Sequence, residues 1–373
     1  ANSTMTVEAG CILADIQTAA EDADRLFPLS LASEGTCQIG GTISTNAGGT
    51  QVLRHGSMRA MVLGIEAVLA SGEVYSALTP LRKDNRGFDL KQLFIGAEGT
   101  LGIVTAATLQ LVPAIGERVV IWAAAPSLGA ARQLLQRCEE ALPGAVEGFE
   151  VLPQPCLDHV LEYLPEARAP LATRAPWHVL IEAVAARDAP AGSDTDLRDQ
   201  CEAALASALE DGVILDATIA ASEAQAEAFW TLRESVSPAE RAQGPAVQHD
   251  ISVPVADMPR FIETVSPQLE AEWPGTRAVA FGHLGDGNVH FHMIAPQGVD
   301  PATWYAGEAK AISGRVHDLV TQWNGSISAE HGIGQLKRDE LARLADPVAL
   351  GLLRAIKSAL DPQGLLNPGK LMN

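Results

Sequence analysis

Residues 282–293 read GHLGDGNVHFHM, an Asp-Gly pair at Asp286 and Gly287 between two arms in which apolar residues and histidines alternate. Alternation around Asp-Gly is the pattern of a β-hairpin. With a two-residue turn, His283 pairs with His290 and Phe281 with His292, and all four side chains leave the same face. Facing Cβ atoms in such a ladder are about 4.5–5.5 Å apart, close enough for two imidazoles to share one ion at about 2.0–2.1 Å. A slip of one residue would turn every histidine to the other side. A single histidine is more often a surface group or a satisfied core residue, but three on one hairpin face favour a metal site.

Around this hairpin, strand-like and helix-like segments alternate. A strand is expected near residues 177–184, then a loop RDAPAGSDTD (187–196), a helix from about 195 and a strand VILDA (213–217). There follow a helix SEAQAEAFWTLRESV (222–236), a strand HDISVPV (249–255) and a helix MPRFIETVSPQLEA (258–271). This order predicts an α+β domain with helices laid on one face of an antiparallel or mixed sheet. Upstream, the first 113 residues are rich in glycine, threonine and short β-prone runs. Pro113 and Gly116 break that pattern. A strand VVIWAA and a helix capped by Ser127 follow, the helix with an apolar face of Leu128, Ala131, Leu134, Leu135, Cys138 and Leu142. The expected division is residues 1–113, 117–325 and a helical tail 326–373.

The chain has 373 residues, 47% hydrophobic and 19% charged, more than one core accommodates and too apolar for disorder. Its formal charge of −20 repels phosphate backbones and anionic lipid, which argues against nucleic acid or a polybasic membrane contact. An anionic substrate must then meet a local basic pocket. No apolar run approaches the about 20 residues of a spanning helix. Five scattered cysteines with no CxxC pair suit neither a disulfide framework nor an iron-sulfur centre, so a cytoplasmic setting is expected, peripheral attachment to an inner membrane aside. The opening ANSTMTVEAG lacks a secretory pattern and an initiator Met, and reads as the start of a fragment.

The run IGGTISTNAGG (39–49) packs four glycines and four hydroxyl or amide side chains into eleven residues. Backbone without Cβ atoms can approach a ligand closely, and nests of peptide N–H groups bind phosphate oxygens without a cationic side chain. A glycine-rich turn between strands explains the run equally well. A second element, EGTLGIV (98–104), places two glycines before a β-branched strand. Two imidazoles leave a divalent ion under-ligated, and SISAEHGIG (326–334) offers Glu330 beside His331. A solvated helix start accounts for that pair as readily. In WTLRESVSPAE (230–240), one helix would put Arg233 and Ser237 at i and i+4, on a common surface. Arginine grips carboxylates bidentately, although an ion pair with a nearby glutamate is the plainer reading.

Taken together, CQIGGTISTNAGGTQVLRHGS (37–57), LGIEAVLASGEV (63–74) and LRKDNRGFDLKQLFIGAEGTLGIVT (81–105) resemble the second half of a vanillyl-alcohol-oxidase-type FAD domain. The chain is similar to the FAD-linked D-2-hydroxyacid dehydrogenases, the family of D-2-hydroxyglutarate and D-lactate dehydrogenases and the glycolate oxidase flavin subunit. The family's FAD domain begins with a further phosphate-binding loop, so the resemblance implies that the N-terminal part of that domain is missing here. It implies a ferredoxin-like α+β substrate (cap) domain and a C-terminal segment that returns to the flavin domain. It also implies flavin contacts from Gly40, Gly41, Thr42, Thr45, Asn46, Gly48, Gly49, Glu98, Gly99, Ile103 and Asn367.

The same resemblance implies that His283, His290 and Glu330 hold a divalent metal, zinc by preference with manganese or iron as alternatives, and that His331 is the base. Arg233 and Ser237 become substrate ligands. Gln248 stands where many relatives carry lysine, and His292 where many carry asparagine, so no one relative's substrate transfers. His292 is open to three readings: a fourth ligand, a second proton carrier or an ordinary polar pocket group. Implied activity is oxidation of a D-2-hydroxy acid by hydride transfer to FAD, with electrons passed to an electron-transfer flavoprotein or quinone-linked partner. Assembly is open, a homodimer among the options. Two other readings are a flavin-free metallohydrolase and a non-catalytic subunit of a glycolate-oxidase-like complex.

Overall fold

Strands in the middle of this chain are apolar on both sides, and that dictates the architecture. In the computed structural model, which describes residues 2–187 and 196–372, the chain divides into two units. Unit one takes Ala1–Ala114 and Glu330–Asn373, and unit two takes Ile115–Ala329. Most of the loop expected at 187–196 lies outside the described residues.

Unit two is built on seven strands: β7 (Ile115–Ala125), β8 (Val146–Pro153), β9 (Trp177–Ala186), β10 (Asp216–Ile219), β11 (Ala246–Ser252), β12 (Arg277–His283) and β13 (Asn288–Ile294). They form one sheet in the order β10-β7-β9-β8-β12-β13-β11, every neighbouring pair antiparallel. From Val119 to Ala125, β7 is buried without alternation. A strand of that kind needs cover on both faces. Helices therefore pack on both sides, not on one as the element order suggested. Phe229 and Trp230 of the helix Glu223–Glu234 join Trp122 and Phe281 in one cluster. On the opposite face, Phe261 of the helix Met258–Glu272 meets Phe291 edge-on at 6.1 Å.

The helix Leu128–Ala141 starts at Ser127, whose side chain accepts from the Ala130 N–H, and it buries the expected apolar positions. The strand expected at 213–217 begins later, at Asp216. Both Val213 and Ile214 donate their N–H groups to the Ala208 carbonyl, closing the helix Leu197–Glu210 around Gly212 at φ +69°. That capping bond takes the backbone donors a ladder would have used.

Unit one holds β1 (Thr4–Glu8), β2 (Arg25–Leu26), β3 (Val62–Val68), β4 (Val74–Ser76), β5 (Ile103–Gln110) and β6 (Val112–Pro113). A four-stranded sheet runs β1-β5-β3-β4, and β2 pairs with β6. Phe27, Ile39, Ile43, Met58, Ile65 and Leu109 form its core, with Ile356 and Leu360 of the helix Pro347–Leu360 packed against them. Lys357 Nζ donates to the Thr100 carbonyl at 2.7 Å, so the C-terminal segment is part of this unit. All five cysteines are free, and among the described residues no helix is long and apolar enough to cross a membrane.

His178 is expected to make unit two less stable in acid. His178 Nδ1 accepts from Trp122 Nε1 at 3.1 Å, and its Nε2 donates to Gln154 Oε1 at 3.0 Å. Burial pushes its pKa down from 6.5 to about 4. A depressed histidine favours the fold above its unfolded pKa, and the contribution is lost as pH falls toward the folded one. Urea unfolding at pH 5 is expected to show about 2 kcal/mol less stability from this group than at pH 7.5. His178→Gln should flatten that part of the slope; an identical slope in the variant would contradict the assignment.

Candidate active site

The histidine hairpin forms, but not in the expected register. His283 pairs with Asn288 and Phe281 with His290, and His292 lies opposite Val279. The turn is the four residues 284–287, closed by the Gly287 N–H on the His283 carbonyl at 3.0 Å. Gly287 sits at φ +82°, and a Cβ there would lie 2.1 Å from the Val253 carbonyl oxygen. The Asp-Gly pair is thus the end of a longer loop rather than a two-residue turn. The displacement is two residues, an even number, so each side chain keeps its face. His283 and His290 meet diagonally, their rings 5.3 Å apart and their Nε2 atoms 3.4 Å apart. Phe281 fills the next place, 5.2 Å from the His290 ring and 5.1 Å from that of His292.

The donor set suits a metal. Burial first, then His283 and Arg233, hold the His290 pKa well below its usual range, so its imidazole is neutral, the form that ligates. Two nitrogens 3.4 Å apart and each about 2.0–2.1 Å from one ion subtend roughly 110°, close to tetrahedral. Glu330, the carboxylate expected to join them, is the first residue beyond unit two. Its chain neighbour Ala329 donates its N–H to the Asp250 carbonyl of β11, and Asp250 is paired with His290. His331 follows directly, and Ile333 and Gly334 beyond it donate their N–H groups to Glu98 within unit one.

Sequence reading missed Glu150. This β8 residue lies opposite His283 in register, with Oε1 2.5 Å from His283 Nδ1. Its other oxygen, Oε2, accepts from Arg233 Nε at 2.8 Å and Nη2 at 2.7 Å. Burial would raise its pKa, but His283 and Arg233 outweigh that and hold the carboxyl down to about 2. The signal in sequence was a strand, VEGFEVLP, that buries two acids, Glu147 and Glu150, among apolar residues. Asp250 was missed too; it accepts from Asn288 Nδ2 at 2.9 Å beside His290.

Arg233, expected to grip substrate, is 8% exposed and carries the ion pair with Glu150, its guanidinium 5.2 Å over the Phe281 ring. Its Nη1 edge takes no part in that pair. The continuous helix expected through Ser237 is interrupted: one helix ends at Glu234, and another, Val236–Ala242, starts after Ser235. Arg233 and Ser237 are therefore not i and i+4 of one helix. Gln248 is exposed on β11 and pairs with His292 on β13, which brings two residues expected to meet the substrate together. His292 is buried, its Nδ1 has no hydrogen-bond partner among the described residues, and burial lowers its pKa to about 4.

In unit one the glycine-rich run is not an open nest. Ile39–Thr45 is a short helix ended by Asn46 at φ 51°. Gly40 is required by packing, since a Cβ would lie 2.7 Å from the Ala9 Cβ, and Gly49 by the Ser30 carbonyl at 2.0 Å. Gly41, in contrast, has no atom within 4 Å of a Cβ position, leaving bare backbone where a ligand could lie. Thr42 is buried and bonds the Ile39 carbonyl, Thr45 bonds the Gly41 carbonyl, and Asn46 Oδ1 accepts from Ser57 Oγ and the Arg59 N–H. Gly48 packs on Val52.

Glu98 ties these pieces together. Its N–H donates to the Ser44 carbonyl, its carboxylate accepts from the Ile333 and Gly334 N–H groups at 2.7 and 2.8 Å, and its carbonyl accepts from Asn367 Nδ2. Next to it, Gly99 lies at φ +70° with Asn367 3.9 Å from its Cβ position, and Ile103 opens β5 half-exposed. So the two glycine elements and Asn367 meet within one unit, although they are far apart in sequence.

This arrangement, a flavin-type domain whose chain leaves into a seven-stranded α+β domain and returns, is that of vanillyl-alcohol-oxidase-type flavoproteins. Two solved structures of alkyldihydroxyacetonephosphate synthase share the fold, one with TM-score 0.66 at 16% identity over 98% of this chain and 65% of the other. Residues 116–371 match the model of the FAD linked oxidases, C-terminal domain, and residues 1–77 that of the FAD binding domain. The chain belongs to the FAD-linked oxidase family. Among its relatives are the mitochondrial D-2-hydroxyglutarate dehydrogenase of Arabidopsis thaliana, 36% identical over 100% of this chain, and D-2-hydroxyglutarate dehydrogenase of Xanthomonas citri pv. viticola, 36% identical over 99% of this chain and 75% of the relative. The chain spans 64% of the length of the Arabidopsis relative.

Proposed function

We propose that the protein is an FAD- and divalent-metal-dependent dehydrogenase that oxidises a D-2-hydroxy acid to the 2-oxo acid and passes the electrons to a carrier. The observation that carries this reading is the pair of Nε2 atoms of His283 and His290, 3.4 Å apart, backed by Glu150, in a chain whose relatives are named D-2-hydroxyglutarate dehydrogenases. His283, His290 and Glu330 would hold the metal, with zinc favoured by nitrogen and oxygen donors. The flavin would lie on the surface around Gly41, Glu98, Gly99 and Asn367. When bound, the metal supplies a Lewis acid to the substrate hydroxyl and the flavin supplies a hydride acceptor.

The chain's own groups do the rest. Arg233 offers its Nη1 edge to the substrate carboxylate while Glu150 fixes the other edge. His331 takes the hydroxyl proton. Ser237, Gln248 and His292 face the remainder of the substrate. With a neutral Gln248–His292 pair there, D-lactate-like or glycolate-like acids stand beside D-2-hydroxyglutarate as candidates, and an electron-transfer flavoprotein or quinone-linked protein as acceptor. Mixing purified protein anaerobically with a panel of D- and L-2-hydroxy acids tests the reading. Flavin absorbance near 450 nm should bleach with at least one D-acid and none of the L-acids. Bleaching by no member of the panel would overturn it.

A further inference from the structure

We infer that Glu150 is a positioning residue that fixes which nitrogen of His283 would bind metal, with Arg233 setting the carboxylate's orientation. This rests on the metal reading above, but the geometry is its own argument. Glu150 is 1% exposed and lies directly across the ladder from His283. Arg233 binds Oε2 through both Nε and Nη2, which leaves Oε1 turned to His283 Nδ1 at 2.5 Å. A carboxylate only accepts, so the proton of a neutral His283 must sit on Nδ1. The Nε2 lone pair is then presented toward His290 Nε2, 3.4 Å away. Such outer carboxylates orient the ring of a ligating histidine and make it a better donor.

Glutamine is the informative replacement because it keeps the shape. In Glu150→Gln, two arginine donors claim the single amide oxygen, and the amide NH2 is left facing His283 Nδ1. That nitrogen must now accept, which moves the ring proton to Nε2 and aims it at the metal position. The structural frame and the Arg233 contact remain.

The test is zinc titration of metal-free protein together with 15N NMR of its histidine rings. Wild type should bind zinc and show the Nδ1–H tautomer of His283 before metal is added. Glu150→Gln should bind about 10–100-fold more weakly and show the Nε2–H tautomer, with Arg233→Lys in between. Equal zinc affinity in Glu150→Gln would overturn the inference and leave the metal reading standing. A wild-type protein that takes up no zinc would overturn both. If Glu150→Gln does not fold, the wild-type spectrum decides alone: an Nε2–H tautomer of His283 contradicts the inference.

Discussion

His290→Ala is expected to lower turnover of the D-2-hydroxy acid by about 10³-fold or more, equivalent to roughly 4 kcal/mol of transition-state stabilisation. The reasoning is geometric. His290 and His283 aim their Nε2 atoms at one point, and alanine removes one of two nitrogen donors while leaving β13 paired on both sides. Metal content, measured by elemental analysis after dialysis, should fall with activity. Flavin content should not change, because every flavin contact proposed lies in unit one. A variant that keeps metal and loses activity by less than tenfold would remove His290 from the site.

Arg233→Ala is expected to destabilise unit two by about 3–5 kcal/mol, the cost of leaving a buried carboxylate without its cation. Glu150 keeps its pKa near 2 through His283 and Arg233 against a burial effect that works the other way. Without the guanidinium, the carboxylate keeps its contact with His283 Nδ1 but loses both bonds to Oε2. Arg233→Lys preserves charge but not the two-pronged contact through Nε and Nη2, and should recover part of the loss. Urea denaturation near neutral pH measures both. Removing the charge from both partners, with Arg233→Met and Glu150→Gln, should restore much of the stability while leaving the protein inactive. A loss below about 1 kcal/mol in Arg233→Ala would show that the pair does not hold this region together.

These two residues also show how far a sequence reaches. The alternation in 282–293 revealed which histidines share a face, because period-two patterning survives any even shift of register. Its register was not legible: Asp286-Gly287 has the form of a two-residue turn, and the loop from Leu284 to Gly287 is set by contacts with Val253 and by the capping bond to His283. Arg233 could be identified as a functional cation, but its partner is 83 positions away on β8, a distance no local pattern encodes. Ser237 was misplaced because helical spacing carried through Ser235, where two helices meet. In unit one, glycines taken as ligand-facing divide into Gly40 and Gly49, needed by the unit's own packing, and Gly41, which is open. Composition alone does not separate those reasons.

The resemblance in the glycine runs and the family models agree on the fold, the models over residues 1–77 and 116–371. The proposed metal dependence rests on the Nε2 atoms of His283 and His290, 3.4 Å apart. Anaerobic flavin reduction by the best D-2-hydroxy acid, followed before chelation, after chelation and after readdition of zinc, tests it most directly. Rapid bleaching is expected, then its loss with flavin still bound, and its return with the metal. Bleaching at an unchanged rate in the chelated, metal-free protein would contradict it.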